Sequence, residues 1–326
     1  MTPTASLKDW ASAHPRTVSA AKLALGLALA AAALAGLDRD AVAQALSRLQ
    51  PAGLAAVVLL VALEFPILGW RWILMVGRVA PLPWREHMRL YLVGIFLSSF
   101  TPAQVGGDLY RFVRLSGGAE GKAALAAVIL RERLLGLATF LGFYLVCLGL
   151  ALAFRPDAVG PAAPLLLPLG GACAVGLVAL AAAAPLAERV AALSGRPWLA
   201  EPLRFLAGAA RMGRPGRALV LTGLSLLGGC GLWAAAVIAV AVQVGAEVPW
   251  LFLAMAAVAV ELVRLVPLTA QGIGVREAAF AALFAAAGFS AEQGFVVGAV
   301  AYVAASLAML LAGVAGRLIS GSAPSP

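Results

Sequence analysis

The chain has 326 residues, 63% of them hydrophobic and only 12% charged, with a mean hydropathy of +0.97. A soluble domain carries roughly 25% charged and about 45–50% apolar residues, so an ordinary cytosolic enzyme is excluded. The net charge of +9 is not gathered in a basic module, so no nucleic-acid partner is expected; arginines in the loops of a membrane protein set its orientation instead. Cys147, Cys173 and Cys230 lie inside apolar runs, and His14 and His87 are far apart. Neither a disulfide framework nor a metal site is expected, and no cofactor.

In chain order, residues 18–37 form the first apolar stretch, behind an arm carrying Lys8, Arg16 and Lys22. It mimics a signal peptide, but the many later spans favour a retained anchor. Residues 38–50 read as a short amphipathic helix with Val42, Leu46 and Leu49 on one face, lying flat at the far surface. A span over 53–77 carries Glu64 and Arg71, two helical turns apart and so candidates for an intramembrane pair. After Arg78, Arg85 and Arg89 comes a shorter apolar piece, 90–100. Full spans follow at 123–154, opening with Arg131-Glu132-Arg133, and at 162–184. Residues 185–217 read as a basic cytoplasmic loop, six arginines against two acids, with an interfacial helix carrying Leu199, Leu203, Leu206 and Ala210 at helical spacing. Further spans cover 218–243 and 250–266, then a short helix 278–288 and a last span 294–316. Trp10, Trp72, Trp84, Trp198 and Trp250 fit interfacial belts.

Two segments interrupt this pattern. Pro102-Ala103-Gln104-Val105-Gly106-Gly107 and Pro267-Leu268-Thr269-Ala270-Gln271-Gly272-Ile273-Gly274 each end an apolar helix with Pro and continue with Ala-Gln, two glycines and an arginine, Arg111 or Arg276. Pro removes a backbone donor and Gly permits unusual dihedrals. Unwound backbone at membrane depth must be buried or face a watery cavity, and paired breaks in two halves of a transporter point to a substrate site. If the basic segments 1–22, 78–89 and 185–217 share one side, 90–114 must be a re-entrant hairpin and 250–289 a second, entering from the other side. The fold expected is therefore an all-α polytopic membrane protein. It has about six full spans plus two broken hairpins as an inverted repeat, in one domain over 1–326, with halves at about 18–154 and 162–316. Both termini are expected to be cytoplasmic.

Charges flank the breaks: Asp108, Arg111 and Arg114 at the first, Glu261, Arg264, Arg276 and Glu277 at the second. A charge at the bilayer centre costs about 2.5–3.5 kcal/mol even on the lenient insertion scale, so such groups pair or line a cavity. Arg111 and Arg276 would grip a phosphate as planar forks, Asp108 and Glu277 would orient them, and Gly106, Gly107, Gly272 and Gly274 would let backbone approach. The bland alternatives are interface anchors (Arg111, Arg114, Arg131), structural ion pairs (Glu64 with Arg71, Glu261 with Arg264) and plain turns (Gly106, Gly272). Gly117-Gly118-Ala119-Glu120-Gly121-Lys122 is not a phosphate loop, because Ser116 and Ala123 stand where Gly and Ser/Thr are needed. Gly272-Ile273-Gly274 lacks the third glycine of a dinucleotide site.

Phe100-Thr101-Pro102 through Gly107-Asp108-Leu109-Tyr110-Arg111, Arg131-Glu132-Arg133-Leu134-Leu135-Gly136 and Gln271-Gly272-Ile273-Gly274-Val275-Arg276-Glu277 together resemble the lysylphosphatidylglycerol synthase transmembrane (flippase-like) family. The resemblance covers almost the whole chain. It implies a domain of the bacterial inner membrane that moves a lipid between leaflets. Asp108, Arg111, Arg131, Glu132, Arg133, Gly272, Arg276 and Glu277 carry over to its motifs, whereas Thr101 departs from the Asn or other small polar residue expected there. Bifunctional members carry a cytosolic synthase half. This sequence ends at Pro326 soon after the last span, so aminoacyl transfer by the chain is not expected, and the lipid is left open among aminoacyl-phosphatidylglycerol, hopanoid, polyprenyl-linked or other lipids. Gln104 and Gln271 complete the expected substrate-binding set. The partners expected are a membrane lipid and lipid-biosynthesis enzymes. The other readings are a membrane-embedded glycosyl or aminoacyl transferase acting on a lipid carrier, and a non-transporting scaffold.

Overall fold

The structure, a computed structural model, describes residues 15–101, 104–116, 119–194, 197–210, 214–264, 269 and 272–320. All regular elements among them are helical. Helix α1 (Pro15–Ala35) is followed by α2 (Arg39–Ser47), α3 (Pro51–Val76), α4 (Trp84–Ser98), α5 (Gly106–Leu115) and α6 (Ala119–Phe154). Then come α7 (Ala163–Leu193), α8 (Pro197–Ala210), α9 (Pro215–Gln243), α10 (Trp250–Val263), α11 (Val275–Ala286) and α12 (Ala291–Ser320). By length and composition α3, α6, α7, α9 and α12 can each cross a membrane, and the pair Ala20–Ala35 with Arg39–Ser47, bent by 102°, is a sixth candidate. The expected count of about six spans therefore holds.

Helix α10 is the centre of the bundle: every residue from Leu251 to Val260 is buried. A helix apolar all round belongs inside, and α6, α9 and α11 pack against this one. Phe252 stacks edge-on against Phe284 (5.7 Å) and Phe289 (5.5 Å), so α10 and α11 form a hairpin that leaves at the end where it entered. Helices α4 and α5 form another: Gly94 lies against Gly107, and Arg114 acts on Glu86. Arg89 donates to Glu86 (2.7 Å) and holds that carboxyl below its ordinary range.

The two hairpins open at opposite ends of the bundle. One end gathers α2, the turn after α9 and the start of α12, through Arg48 to the Val244 carbonyl (3.3 Å) and Gln293 to the Gly245 carbonyl (3.2 Å). At the other, Arg217 donates to the Leu74 carbonyl (2.5 Å), and Gly316 near the end of α12 lies against Val93 of α4.

One local expectation is corrected, and two short helices show which of their faces pack against protein. Residues 185–193 are helix, not loop, and α8 packs beside them with Ala187 and Ala191 buried. In α8 the buried face is Ala200 and Ala207, with Leu206 exposed; Leu199 and Ala210 have no described side chain. In α2, Val42 and Ala45 are buried and Leu46 is exposed. Both patterns have one cause: lipid solvates leucine as well as protein does, so small residues take the helix contacts.

Candidate functional site

Three consecutive residues of α6 point three ways, because each step turns the helix by about 100°. Glu132 points inward and is buried; Arg71 Nη2 of α3 donates to its Oε1 (3.0 Å) and Arg111 Nη1 of α5 to its Oε2 (2.9 Å). Arg133 reaches back to the first break, donating to Asp108 Oδ2 (2.8 Å) and to the Gln104 carbonyl (2.9 Å). Arg131 turns outward to the Gly208 carbonyl of α8 (2.9 Å), away from the other two. This trio lies well inside α6, about 18 Å from the helix start at Ala119, rather than opening the span.

Arg111 closes the ladder. Its Nη2 donates to Asp108 Oδ1 (2.5 Å), and its guanidinium lies over the Trp72 ring at 4.1 Å and the Tyr91 ring at 5.1 Å. Trp72, expected in an interfacial belt, is fully buried as this platform; Trp84 and Trp250, at the first turns of α4 and α10, are exposed. The expected pairing of Glu64 with Arg71 is replaced: Arg71 Nη1 donates to Ser225 Oγ (2.8 Å) and its other end goes to Glu132. Ser225 directly precedes a π-helical turn, Leu226–Gly231, inside α9.

At the second break Glu261 pairs with Arg264, as expected, and also with Arg276 Nη2 at 3.5 Å. Glu261, not Glu277, is therefore the carboxylate that holds Arg276. Arg276 faces the Tyr302 ring at 5.2 Å and the Trp233 ring at 5.9 Å. Its Nε and Nη1 are buried with no hydrogen-bond partner among the described residues, as are Thr269 Oγ1 and Glu277 Oε2. Buried donors without acceptors are rare and call for an explanation.

Both clusters border one cavity of about 610 Å³. From the first side come Gln104, Asp108, Arg111, Glu132, Arg133 and Arg71; from the second, Glu261, Arg264, Gly272, Arg276 and Thr269; Glu64 also borders it. Arg131, Gly106, Gly107, Gly274 and Glu277 are not on its wall. Gln271 lies outside the described residues.

Of the four glycines expected to admit a ligand, three admit the chain's own backbone. A Cβ on Gly107 would meet the Gly94 carbonyl, one on Gly106 the Leu97 carbonyl (2.8 Å), and one on Gly274 the Gly26 carbonyl of α1. Gly272 and Gly274 also have φ of 77° and 78°, which a side chain would strain. The sequence reading missed Ser225, Trp72, Tyr91, Trp233 and Tyr302. Only Trp72 and Ser225 carried a signal, one beside Arg71 and the other beside the glycine-rich turn.

These features define a multi-pass membrane protein with a charged cavity enclosed among its helices. The chain belongs to the family of the lysylphosphatidylglycerol synthase transmembrane region, whose model matches residues 19–313, and this family suggests a membrane-lipid-related function. No curated protein and no solved structure matches it.

Proposed function

We propose that the protein translocates a lipid with a phosphate-bearing head group between the leaflets of a bacterial inner membrane, and that it does so without catalysing a reaction. The observation that carries this reading is Arg276, a residue of the cavity wall whose Nε and Nη1 are buried and have no acceptor among the described residues. A phosphate offers the acceptors this fork lacks. Thr269 supplies a hydroxyl on the same wall.

The ladder at the first break has a different role. The Arg111 Nη1 and Nη2 atoms are already engaged by carboxylates, so the ladder fixes α5 against α6 and supplies a positive wall rather than the principal grip. Outward, α5 presents Val105, Leu109 and Val113, all exposed and four residues apart. That stripe suits acyl chains, which can stay in lipid while the head group crosses through the cavity.

Hairpins opening at opposite ends support an inverted pair of half-domains, one gating each side. The end carrying Arg78, Arg85, Arg89, Arg114, Arg214, Arg217 and Arg317 against Glu86 is cytoplasmic by the positive-inside rule. The start of α1 and the end of α12 belong to that side.

Native mass spectrometry of the purified protein tests the grip. Wild type should retain a phosphate-bearing lipid selectively, and Arg276→Ala should lose it at least tenfold. Equal, unselective retention by both would remove the anion site and return weight to a scaffold role.

A further inference from the structure

Four carboxylates border the cavity: Glu64, Asp108, Glu132 and Glu261. Three are held by arginines: Asp108 by Arg111 and Arg133, Glu132 by Arg71 and Arg111, Glu261 by Arg264 and Arg276. Glu64 is different. It is half-buried on the cavity wall and makes no ion pair or side-chain hydrogen bond among the described residues. It also stands halfway along the 26-residue α3, about 20 Å from the helix start at Pro51 and hence near mid-depth.

The charged groups that act on it are Glu261, Arg264 and Arg71, and Tyr91 of α4 and Cys230 of α9 also face it. The other charged groups around the cavity are all in ion pairs: α6 presents Glu132 and Arg133, α5 presents Asp108 and Arg111, and α11 presents Arg276, while α12 presents Ala305 and Met309. A head-group phosphate bound at Arg276 would put a second negative charge into the space that Glu64 shares. A like charge favours the protonated carboxyl. The anion and the proton therefore bind better together than apart, and the coupling acts equally in both directions.

We propose that Glu64 takes up a proton when a phosphate-bearing head group enters the cavity, so that lipid movement is coupled to proton movement across the membrane. This rests on the lipid-translocating reading above and names the ion that accompanies the lipid. A proton released on the far side as the head group leaves would give the transport a direction.

The test is calorimetric titration of the full chain in detergent with dioctanoyl phosphatidylglycerol, in two buffers of different ionisation enthalpy, from about pH 6 to about pH 9. The phosphodiester of this probe does not titrate in that range, so any proton taken up belongs to the protein. Wild type should take up protons on binding, and its affinity should fall by up to about tenfold per pH unit as pH rises. Glu64→Gln should bind with a flat pH profile and no uptake, whereas Glu64→Asp, which keeps a titrating carboxyl, should retain uptake. Binding without uptake in wild type, or uptake that persists in Glu64→Gln, overturns the coupling and leaves the lipid reading standing. No saturable binding by wild type overturns that reading and the coupling with it.

Discussion

Glu132 balances two buried arginines at once, with Arg71 on one oxygen and Arg111 on the other. Breaking a buried ion pair by removing one partner costs about 3–5 kcal/mol, because the charge left behind has neither water nor a counter-ion. Glu132→Ala should therefore lower the unfolding temperature in detergent sharply. Glu132→Gln, which can still accept from one arginine, should cost less. An alanine variant as stable as wild type would mean that water enters the ladder and solvates it. The same logic separates Arg111 from Arg276: the forked nitrogens of Arg111 are satisfied, whereas two buried donors of Arg276 have no partner among the described residues.

At the scale of elements, the α4–α5 hairpin depends on bare backbone touching bare backbone at Gly94 and Gly107. Gly107→Ala would push its methyl into the Gly94 carbonyl and Ser98 Oγ (2.6 Å), a misfit worth about 1–3 kcal/mol. Gly142→Ala, with nothing within 4 Å of the added carbon, is the control and should be neutral. Differential scanning fluorimetry would check the pair, and equal stability of the two variants would contradict the close packing. The helix ends around both breaks were legible in sequence, and Gly272 and Gly274 act there locally through φ; Pro102 and Pro267 lie outside the described residues. The long spans, which length and hydropathy define, were legible too. The partners of the charges were not. Arg71 and Glu64 share a helix face, yet Arg71 turns to Glu132, 61 residues away, a contact that only the tertiary fold creates.

For the whole molecule, the central claim is that one charged cavity, bounded by two hairpins opening at opposite ends, carries a lipid head group through the bundle. The direct measurement is leaflet exchange of a head-group-labelled phospholipid in proteoliposomes, read by quenching of the outer leaflet with dithionite. Wild type should expose label beyond the outer-leaflet fraction, and Arg276→Ala should fall to the level of protein-free vesicles while folding normally. Exchange in Arg276→Ala equal to wild type, or none in wild type under a proton gradient of either sign, would contradict the account.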